Sequence, residues 1–542
     1  MHKTNSIIMH APKMSIFETA ANLELWPKIL PHYRYIRYLE RSPNRNVVVM
    51  AARRSGIPIK WTSEVTVDRD RVEIHFQHLK AFTKGMHVVW TFDEKPVGVL
   101  VTILHDLNFR VKILAPLADK IIGDFFIGNI GNKTMRTGLG PITCIGKGVD
   151  GFWKGILAEK TGISPITNFD VSAFGVRVAG QVNDWDPEEF FPAHRLKRLD
   201  RYAQFSVASA KLALDDAGIE YSKEKPQDRI GVSFGTALGG VCKAEENYIR
   251  FLKKGPRGVQ PTLAVQVFGG SAHSNIAIDF GFRGVGTTNS NSCASGTVSV
   301  GEGLRYIRDN FADVVIAGGA EAPLTTITIG AFDIIKTMSR CPGPELACRP
   351  FDKLRDGFVM GEGAASLILE ELEHARTRDA KIYAEVLGYS LNNDAFHMTA
   401  PLPSGDSCIR AMRDSLADAE VAPEQIDYVN AHASSTQLND SAETMSIKEV
   451  LGEHAKKIPV SGTKGYHAHP LGATGAIEAA LCALALDRQW VPPTINYQNP
   501  DPACDLDVVP NHGRTAELNY VMSNSFGFGG INACIVLGRV RD

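Results

Sequence analysis

The sequence predicts two domains, an α+β unit over residues 1–136 and an α/β unit with two duplicated halves over residues 137–542. Three observations indicate this fold class. A chain of 542 residues exceeds what one hydrophobic core normally holds. Apolar and polar residues alternate in the first part, as over residues 72–78, which is typical of half-buried strands. From Gly138 onward glycine is frequent and helices alternate with apolar strands, as in α/β proteins.

The first domain is predicted to contain one short helix and a series of strands. The helix-like segment 16–21 is ended by Pro27 and Pro31. A final segment, residues 117–133, is predicted to form a long helix that closes the sheet. Turn-type or charged residues separate the strand-like runs, which are residues 47–50, 59–67, 72–78, 86–92 and 100–109.

A helix followed by a strand occurs twice in the second domain. Residues 201–218 read as an alanine-rich helix ended by glycine, and the strand-like residues 229–234 follow. Residues 410–420 and 426–430 repeat this order. We interpret the recurrence as an internal duplication of two α/β halves. The alternative is that this order recurs in any α/β protein.

Composition and charge exclude several classes of protein. The chain has 44% hydrophobic and 22% charged residues, as soluble globular proteins do. Its net charge of −2 disfavours nucleic-acid binding, which needs a basic surplus. No apolar run could span a bilayer and no signal peptide is visible, so no membrane partner is expected. The nine cysteines form no CxxC pair and therefore indicate reduced thiols in a cytoplasmic enzyme, without a disulfide framework or a metal site.

The main nucleophile candidate is Cys293, which lies among small residues in the segment 289–297. Small residues permit a sharp turn from a strand into a helix. A cysteine at a helix N-terminus feels the positive end of the helix dipole, which lowers the pKa of the thiol and favours the thiolate. Taken alone, a cysteine in such surroundings is more often a buried structural thiol.

Two histidines lie in segments that also resemble active-site turns. His432 follows an apolar strand, at the edge where α/β folds place ligands. His469 lies in a glycine-rich turn over residues 462–475. A lone histidine in either place is more often structural. Neither segment has the ligand spacing of a zinc site.

These three segments, in this order, resemble the β-ketoacyl-ACP synthase family of thiolase-like condensing enzymes. The resemblance is to its elongating type and to the ketosynthases of type II polyketide systems. It runs from Thr137 to Asp542 and includes further motifs at residues 349–358 and 524–530. It implies an acyltransferase that joins malonyl-ACP to an enzyme-bound acyl group by decarboxylative Claisen condensation. No bound cofactor is expected, because phosphopantetheine arrives on the acyl carrier protein.

The resemblance also implies a role for each matching residue. Cys293 is expected to accept the acyl group, while His432 and His469 support decarboxylation and hydrogen-bond the enolate oxygen. The backbone N–H groups of Cys293 and Phe528 match the oxyanion hole, and Phe528 also matches a gating aromatic residue. The remaining matches are Lys464, Asp440 and Glu443, which tune protonation and orientation, and Ser434 and Thr436, which contact the carrier arm. For Glu443 the alternative is an ordinary charge on a helix surface.

The resemblance further implies partners. Similar synthases present basic residues to the acidic carrier protein, and Arg195, Lys197 and Arg198 occupy that place. The alternative for this run is a solvated helix face. Synthases of this family generally form dimers, so we expect a homodimer, with a heterodimer with a chain-length factor as the alternative.

The chain departs from the family pattern in several places. Ala433 and Ala468 replace glycines beside the two histidines, and Ser434 replaces a threonine. His467 adds a rival imidazole, but only His469 has the family spacing. The apolar strand that normally precedes Thr-Gly-Leu-Gly is missing, which predicts a sheet edge that is incomplete or rebuilt by the first domain.

The first domain resembles the polyketide cyclase/aromatase branch of the START-like superfamily over residues 7–133. Phe17 and Ala20, the two proline-containing stops and the succession of strands carry this resemblance. It implies a helix-grip fold, in which a curved antiparallel sheet encloses a cavity for an apolar or polyketide ligand. Ordinary packing is the alternative for each cavity candidate. These candidates are Arg53, Trp61, His78, Trp90 and His105.

The leading functional hypothesis is therefore condensation in type II polyketide biosynthesis, with the first domain binding or cyclising the chain. The nearest alternative is fatty-acid elongation by the same chemistry. An alternative of another class is a lipid-binding protein with an inactive synthase scaffold, which requires an unreactive Cys293. Chain-length factors lack this cysteine, so its presence argues against that role.

Overall fold

A computed structural model describes residues 2–9, 12–26, 33–42, 44–54, 57–80, 84–95, 98–106 and 134–540. The chain divides into two compact units, Met1–Gly131 and Asn132–Asp542. Each unit is described by itself.

The first unit is built on a seven-stranded antiparallel sheet. Its helix, Lys13–Ala21, contains the predicted segment 16–21. Each of the five predicted strands overlaps an observed strand, and the strands His2–Met9 and Tyr33–Arg41 were not predicted. Residues 107–109 of the last predicted strand, and the closing helix predicted over residues 117–133, lie outside the described residues. In spatial order the strands are His2–Met9, Gly98–Asp106, His87–Lys95, Glu73–Lys80, Ile57–Asp68, Arg45–Arg54 and Tyr33–Arg41.

One face of this sheet carries the core of the first unit. The strand Glu73–Lys80 buries every second residue, including Ile74 and Phe76, as its alternation predicts. The helix Lys13–Ala21 packs on the same face, where the ring of Phe17 meets that of Phe92 edge-on at 5.5 Å. The sequence therefore determines which face of the sheet turns inward.

The second unit is organised around a twelve-stranded mixed sheet. Two short strands, Ile142–Thr143 and Gly146–Lys147, lie off its main path. Further two-stranded pairings join Ser164–Pro165 to Val178–Ala179 and Trp490–Val491 to Arg514–Thr515. The main path runs Gly286–Asn289, Ile230–Gly235, Val314–Glu321, Gly363–Glu371, Thr134–Leu139, Ala384–Asn393, Ile531–Gly538, Tyr520–Gly527, Tyr428–Asn430 and Val460–Ser461.

The strand directions confirm the predicted duplication. In the first half, Ile230–Gly235 runs parallel to both of its neighbours. In the second half, Tyr428–Asn430 likewise runs parallel to both of its neighbours. From each of these two strands the path continues through a parallel partner, then two antiparallel ones, to the centre of the sheet.

Two central helices connect the fold to the site. Ser295–Arg308 and Thr474–Arg488 are largely buried, and their apolar side chains, such as Val298, Leu304 and Ile477, belong to one hydrophobic cluster. The first helix begins just after Cys293, and the second begins after His469 and the 3-10 turn Leu471–Ala473. The other helices of the second unit are Gly148–Leu157, Ala193–Leu196, Arg201–Ala217, Val241–Lys254, Leu263–Gln266, Ser271–Phe280, Thr326–Ile334, Pro344–Ala347, Leu372–Thr377, Asp406–Ala419, Gln437–Leu451 and Lys464–His467.

The expectation of a missing first strand is wrong. Thr134–Leu139 forms that strand, and it begins three residues before the domain boundary predicted at residue 137. It lies in the middle of the sheet, between Gly363–Glu371 and Ala384–Asn393, and all six of its residues are buried. Hydrogen bonding to a strand on each side stabilises this segment as a strand, although few of its residues are apolar.

Arg136 is fully buried on this central strand without an ion-pair partner among the described residues. Its Nη1 donates to the carbonyl oxygen of Ala479 at 2.5 Å, while Nε and Nη2 have no hydrogen-bond partner in the described part of the chain. Burial lowers the pKa of Arg136 to about 9. Since unpaired buried charge is costly, we expect Arg136→Met to raise the free energy of unfolding by about 1–3 kcal/mol.

Chemical denaturation of the wild type and of the Arg136 variant measures this difference. Arg413→Met is the matched control, because Arg413 is an exposed arginine whose replacement is expected to change stability by less than about 0.5 kcal/mol. A less stable Arg136→Met variant would contradict the interpretation.

Candidate active site

Cys293 lies in a tight turn between a strand and a central helix. The strand Gly286–Asn289 leads into the 3-10 turn Ser292–Ala294, which continues directly into Ser295–Arg308. Ser292 has a φ of 49°, in the left-handed region that bulky residues avoid. The small residues therefore do what the sequence predicted, because they allow the turn that presents the thiol at the helix N-terminus.

Burial dominates the electrostatics of Cys293. It raises the pKa of the thiol to about 11, although Lys464 and the backbone N–H of Phe528 act in the opposite direction. Burial, which disfavours the charged form, therefore outweighs the opposite effect expected of the helix end. The thiol proton needs an acceptor before sulfur can attack.

His469 is placed to be that acceptor. Its Nε2 lies 3.0 Å from Sγ of Cys293, and its Nδ1 lies 2.8 Å from the hydroxyl of Thr474. Burial, followed by the charge of Lys464, holds the pKa of His469 well below its usual value. A neutral imidazole can accept the thiol proton while Thr474 fixes the ring orientation.

His432 faces the same site from the second half of the sheet. It follows the strand Tyr428–Asn430, and its ring meets that of His469 edge-on with centroids 5.4 Å apart. Burial lowers the pKa of His432 well below its usual value. Its Nδ1 is buried and has no hydrogen-bond partner within the described residues, and His432 itself lines the cavity.

A buried ion pair supports the two histidines. Nζ of Lys464 lies 2.6 Å from Oε1 of Glu478, and both side chains are 0% exposed. Lys464 also donates to the carbonyl oxygen of His432. Burial raises the pKa of Glu478 to about 7, against the attraction of Lys464. Glu478 was missed by the sequence analysis, and a carboxylate in the otherwise apolar helix Thr474–Arg488 was the signal that could have found it.

The predicted acidic pair separates into two different roles. Glu443 is 1% exposed, which excludes an ordinary surface charge, and accepts the backbone N–H groups of His432 and Ala433 at 2.8 Å each. Asp440 instead accepts the N–H of Phe351 at 2.9 Å and lies 3.7 Å from Arg355. Of these two carboxylates, Glu443 is therefore the one that contacts the backbone of His432.

The remaining predicted residues line one cavity of about 370 Å³ with Cys293, His432 and His469. Phe528 stacks on Phe332 with ring centroids 6.0 Å apart. The hydroxyls of Ser434 and Thr436 lie 2.9 Å from each other on the cavity wall. Lys464, Asp440 and Glu443 lie behind the wall, where they act on the backbone.

The replaced glycines leave alanines in strained backbone. Ala468 has a φ of 59° and a ψ of −157°, a region that essentially only glycine adopts, and Ala433 has a φ of 39°. We expect Ala468→Gly to raise the free energy of unfolding by about 1 kcal/mol, since relieved strain exceeds the added freedom of the unfolded chain. Thermal unfolding measures this, with Ala479→Gly in a regular helix as the destabilised control. A melting temperature below that of the wild type would contradict the strain argument.

The predicted carrier-docking residues differ in exposure. Arg195 is half-buried and forms an ion pair with Asp279 at 3.0 Å. Lys197 and Arg198 are exposed. Lys197 and Arg198 therefore carry the solvent-exposed positive charge of this segment.

The cavity candidates of the first unit fall into three groups. Trp61 and His78 stack with ring centroids 5.9 Å apart on the inner face of the sheet. Trp90 packs on Trp26 at 5.3 Å and belongs to the core cluster. The side chains of Arg53 and His105 lie outside the described residues.

Other features of the described residues bear on the remaining predictions. No described helix is long and apolar enough to cross a membrane. The described part of the chain holds no group of three or more potential metal ligands. All nine cysteines are free thiols, as the reduced-thiol prediction requires.

Comparison with known families assigns a description to each part of the chain. The model for the β-ketoacyl synthase N-terminal domain matches residues 136–375, and that for the C-terminal domain matches residues 383–498. The model described as polyketide cyclase / dehydrase and lipid transport matches residues 9–126.

Curated relatives match the second unit along almost their whole length. The 3-oxoacyl-[acyl-carrier-protein] synthase 2 of Coxiella burnetii is 43% identical over 411 residues, which cover 76% of this chain and 99% of the relative. The enzyme of the same name from Synechocystis is 42% identical over 410 residues, covering 76% of this chain and 98% of the relative.

Solved structures share the fold of the second unit. The ishigamide ketosynthase/chain length factor superposes with a TM-score of 0.71 at 36% identity, covering 76% of this chain and all of that chain. A type II PKS ketosynthase, solved with its acyl-carrier protein and bound to the hexaketide, gives a TM-score of 0.70 at 35% identity with the same coverage.

Proposed function

Because this chain belongs to the β-ketoacyl synthase family and is an acyltransferase, we propose that it carries the growing acyl group on Cys293. The observation that carries this proposal is the 3.0 Å separation between Sγ of Cys293 and Nε2 of His469 inside the cavity. A neutral imidazole at this distance can take the thiol proton as sulfur attacks a thioester. The first half-reaction forms the acyl–sulfur bond and releases the thiol of the carrier.

The second half-reaction uses both imidazoles. Malonyl-ACP loses CO₂, and the electron pair of the broken carbon–carbon bond forms an enolate whose oxygen accepts hydrogen bonds from His432 and His469. The enolate carbon attacks the acyl carbonyl, and the resulting oxyanion lies against the N–H groups of Cys293 and Phe528. Collapse of this adduct breaks the carbon–sulfur bond and expels the thiolate of Cys293, which regains its proton from solvent. Phosphopantetheine is delivered on the carrier, with its arm along Ser434 and Thr436.

For the pathway, we propose type II polyketide synthesis. The ketosynthases of that type among the solved relatives and the fused cyclase-like unit support it. Fatty-acid elongation is the second candidate, which the relatives named 3-oxoacyl-[acyl-carrier-protein] synthase 2 favour. Both use the same chemistry at Cys293, so the site alone does not separate them.

The first unit is proposed to have a helix-grip fold and to bind or cyclise the chain. Support comes from polar side chains on an otherwise apolar inner face, where Trp61 and His78 stack beside Ser63. The Ser63 hydroxyl is 0% exposed and has no hydrogen-bond partner within the described part of the chain. Such groups could hydrogen-bond the oxygens of a polyketone.

Two protein partners are proposed. The acyl carrier protein is expected to dock at Lys197 and Arg198, since exposed positive charges steer an acidic partner. A second subunit is expected against the sheet edge Gly286–Asn289. The helix Val241–Lys254 also exposes large apolar residues, such as Tyr248 and Leu252. A homodimer is the first proposal, and a heterodimer with a chain-length factor is the alternative.

Mass analysis of carrier-bound products tests the proposal. The intact protein is incubated with an acyl-carrier starter, malonyl-carrier protein and, in a parallel reaction, reducing and dehydrating partner enzymes. Unreduced polyketone or aromatic product supports the polyketide assignment, whereas only a saturated chain two carbons longer supports fatty-acid elongation. A His78→Ala variant that gives the same cyclised fraction as the wild type would contradict a cyclising role for the first unit.

A further inference from the structure

Glu321 is a buried carboxylate that no step of the proposed mechanism uses. It ends the strand Val314–Glu321 and is 0% exposed. Its Oε2 accepts the N–H of Ala237 at 2.6 Å and that of Gly472 at 3.0 Å. Its Oε1 accepts the hydroxyl of Thr236 at 3.0 Å and the N–H of Leu238 at 3.1 Å. One side chain thus joins two segments that are far apart in the sequence.

Both segments belong to the active site. Ala237 and Leu238 line the cavity beside Cys293. Gly472 lies in the 3-10 turn Leu471–Ala473, between His469 and the residue that fixes its ring, Thr474. Glu321 therefore connects the wall beside the acyl group to the support of the imidazole.

These two segments pack in direct contact with each other. A Cβ on Gly472 would lie 2.8 Å from Oε2 of Glu321 and 2.5 Å from the backbone nitrogen of Ala237. The two segments consequently have no room to slide past each other while the carboxylate stays in place. Loss of its hydrogen bonds would leave four donors without an acceptor and release this constraint.

The duplication of the fold provides an independent argument. Glu443 clamps the residues that follow Tyr428–Asn430, because it accepts the N–H groups of His432 and Ala433. Glu321 clamps the residues that follow Ile230–Gly235, which is the equivalent strand of the first half. In each half, one buried carboxylate thus holds the loop that lines the cavity. Of these two carboxylates, only Glu321 also accepts a hydrogen bond from the opposite half, at Gly472.

We propose that Glu321 is a positioning residue for condensation, which holds His469 at its working distance from the cavity wall that supports the acyl group. This inference rests on the roles proposed for Cys293 and His469. It concerns alignment in the second half-reaction, so a change at Glu321 should affect kcat of condensation more than binding of malonyl-carrier protein.

Glu321→Gln tests the proposal with little change in shape. The amide nitrogen of glutamine must face one of the two donor pairs, so two of the four donors lose their acceptor. We expect kcat of condensation to fall by about 10- to 100-fold, as misplacement of reacting groups by less than 1 Å can cause. We expect KM for malonyl-carrier protein, and the final extent of Cys293 acylation by intact mass, to change by less than about threefold.

Glu370→Gln is the matched control. Glu370 is also 0% exposed and lies in the neighbouring strand, but at its opposite end, where Arg378 and Thr137 contact it. This control is expected to lower the melting temperature and leave kcat within about threefold of the wild type. If Glu321→Gln is not recovered folded, Glu321→Asp carries the same test, because its shorter side chain cannot bridge both segments.

Two results would overturn the inference. The first is a folded Glu321 variant with wild-type kcat. The second is an equal loss of kcat in Glu370→Gln, which would mean that the loss of kcat reflects general destabilisation of the protein. Absence of condensation by the wild type itself would instead contradict the proposed function and leave the variants without a reference.

Discussion

Cys293→Ala is expected to lower the rate of condensation by about 10⁴-fold or more, because it removes the thiol that is proposed to carry the acyl intermediate. The thiol is the only cysteine sulfur among the cavity-lining residues described, and the ring of His469 is oriented toward it. The measurement is product formation from acyl-carrier and malonyl-carrier protein. Substitution by alanine removes one sulfur atom at a partly buried position, so the variant is expected to fold.

Cys341→Ala is the matched control for this prediction. Cys341 is also a partly buried free thiol but does not line the cavity. Its replacement is expected to leave the rate within about twofold of the wild type, since it makes no contact with the reacting groups. Condensation that survives in Cys293→Ala would mean that the acyl group is held elsewhere.

Lys464→Met is expected to lower the free energy of unfolding by about 3–5 kcal/mol, because it leaves Glu478 buried without a partner. Methionine has a similar length but no charge, and the carbonyl oxygen of His432 also loses its donor. The measurement is chemical denaturation. The rate of condensation is expected to fall at the same time, because His432 loses the group that fixes its backbone.

The double variant Lys464→Met, Glu478→Leu separates stability from activity. Replacing a buried ion pair by apolar residues of similar volume is often neutral for stability, so most of the loss is expected to be recovered. Activity is expected to stay low, because the contact with His432 remains absent. Recovery of both stability and activity would show that the pair serves packing alone.

The reactive centre was largely predictable because its candidate residues lie in short segments whose small residues and glycines indicate turns. Cys293 and His432 each follow a strand, at turns that small residues mark in the sequence, and His469 lies in a glycine-rich turn between two helices. The fold brings the three side chains together in one cavity, to which both duplicated halves contribute.

The supporting carboxylates were harder to predict because their partners are distant in the sequence. Glu478 pairs with Lys464 across 14 positions, and Glu321 reaches Gly472 across 151. Nothing near either glutamate in the sequence specifies these contacts. Asp440 and Glu443 share one helix face, yet only tertiary packing decides that Glu443 meets His432 while Asp440 meets Phe351.

Strand prediction failed where burial did not follow apolar composition. The central strand Thr134–Leu139 contains Thr134, Arg136 and Thr137, and its buried state depends on pairing with strands on both sides. In the first unit, the strand Tyr33–Arg41 was not predicted, because its sequence mixes tyrosine, arginine and glutamate without a regular apolar alternation. The strand His2–Met9 was not predicted either. Tertiary context overrides local propensity in these cases.

The central claim is that Cys293 carries the acyl group between two half-reactions. The most direct measurement is intact and peptide mass analysis of the wild-type protein after mixing with an acyl-carrier donor, followed by a chase with malonyl-carrier protein. We expect one acyl adduct on the peptide that contains Cys293, discharged by the chase into a β-ketoacyl-carrier product two carbons longer. An adduct on another residue, or a Cys293 adduct that the chase does not discharge, would contradict the account.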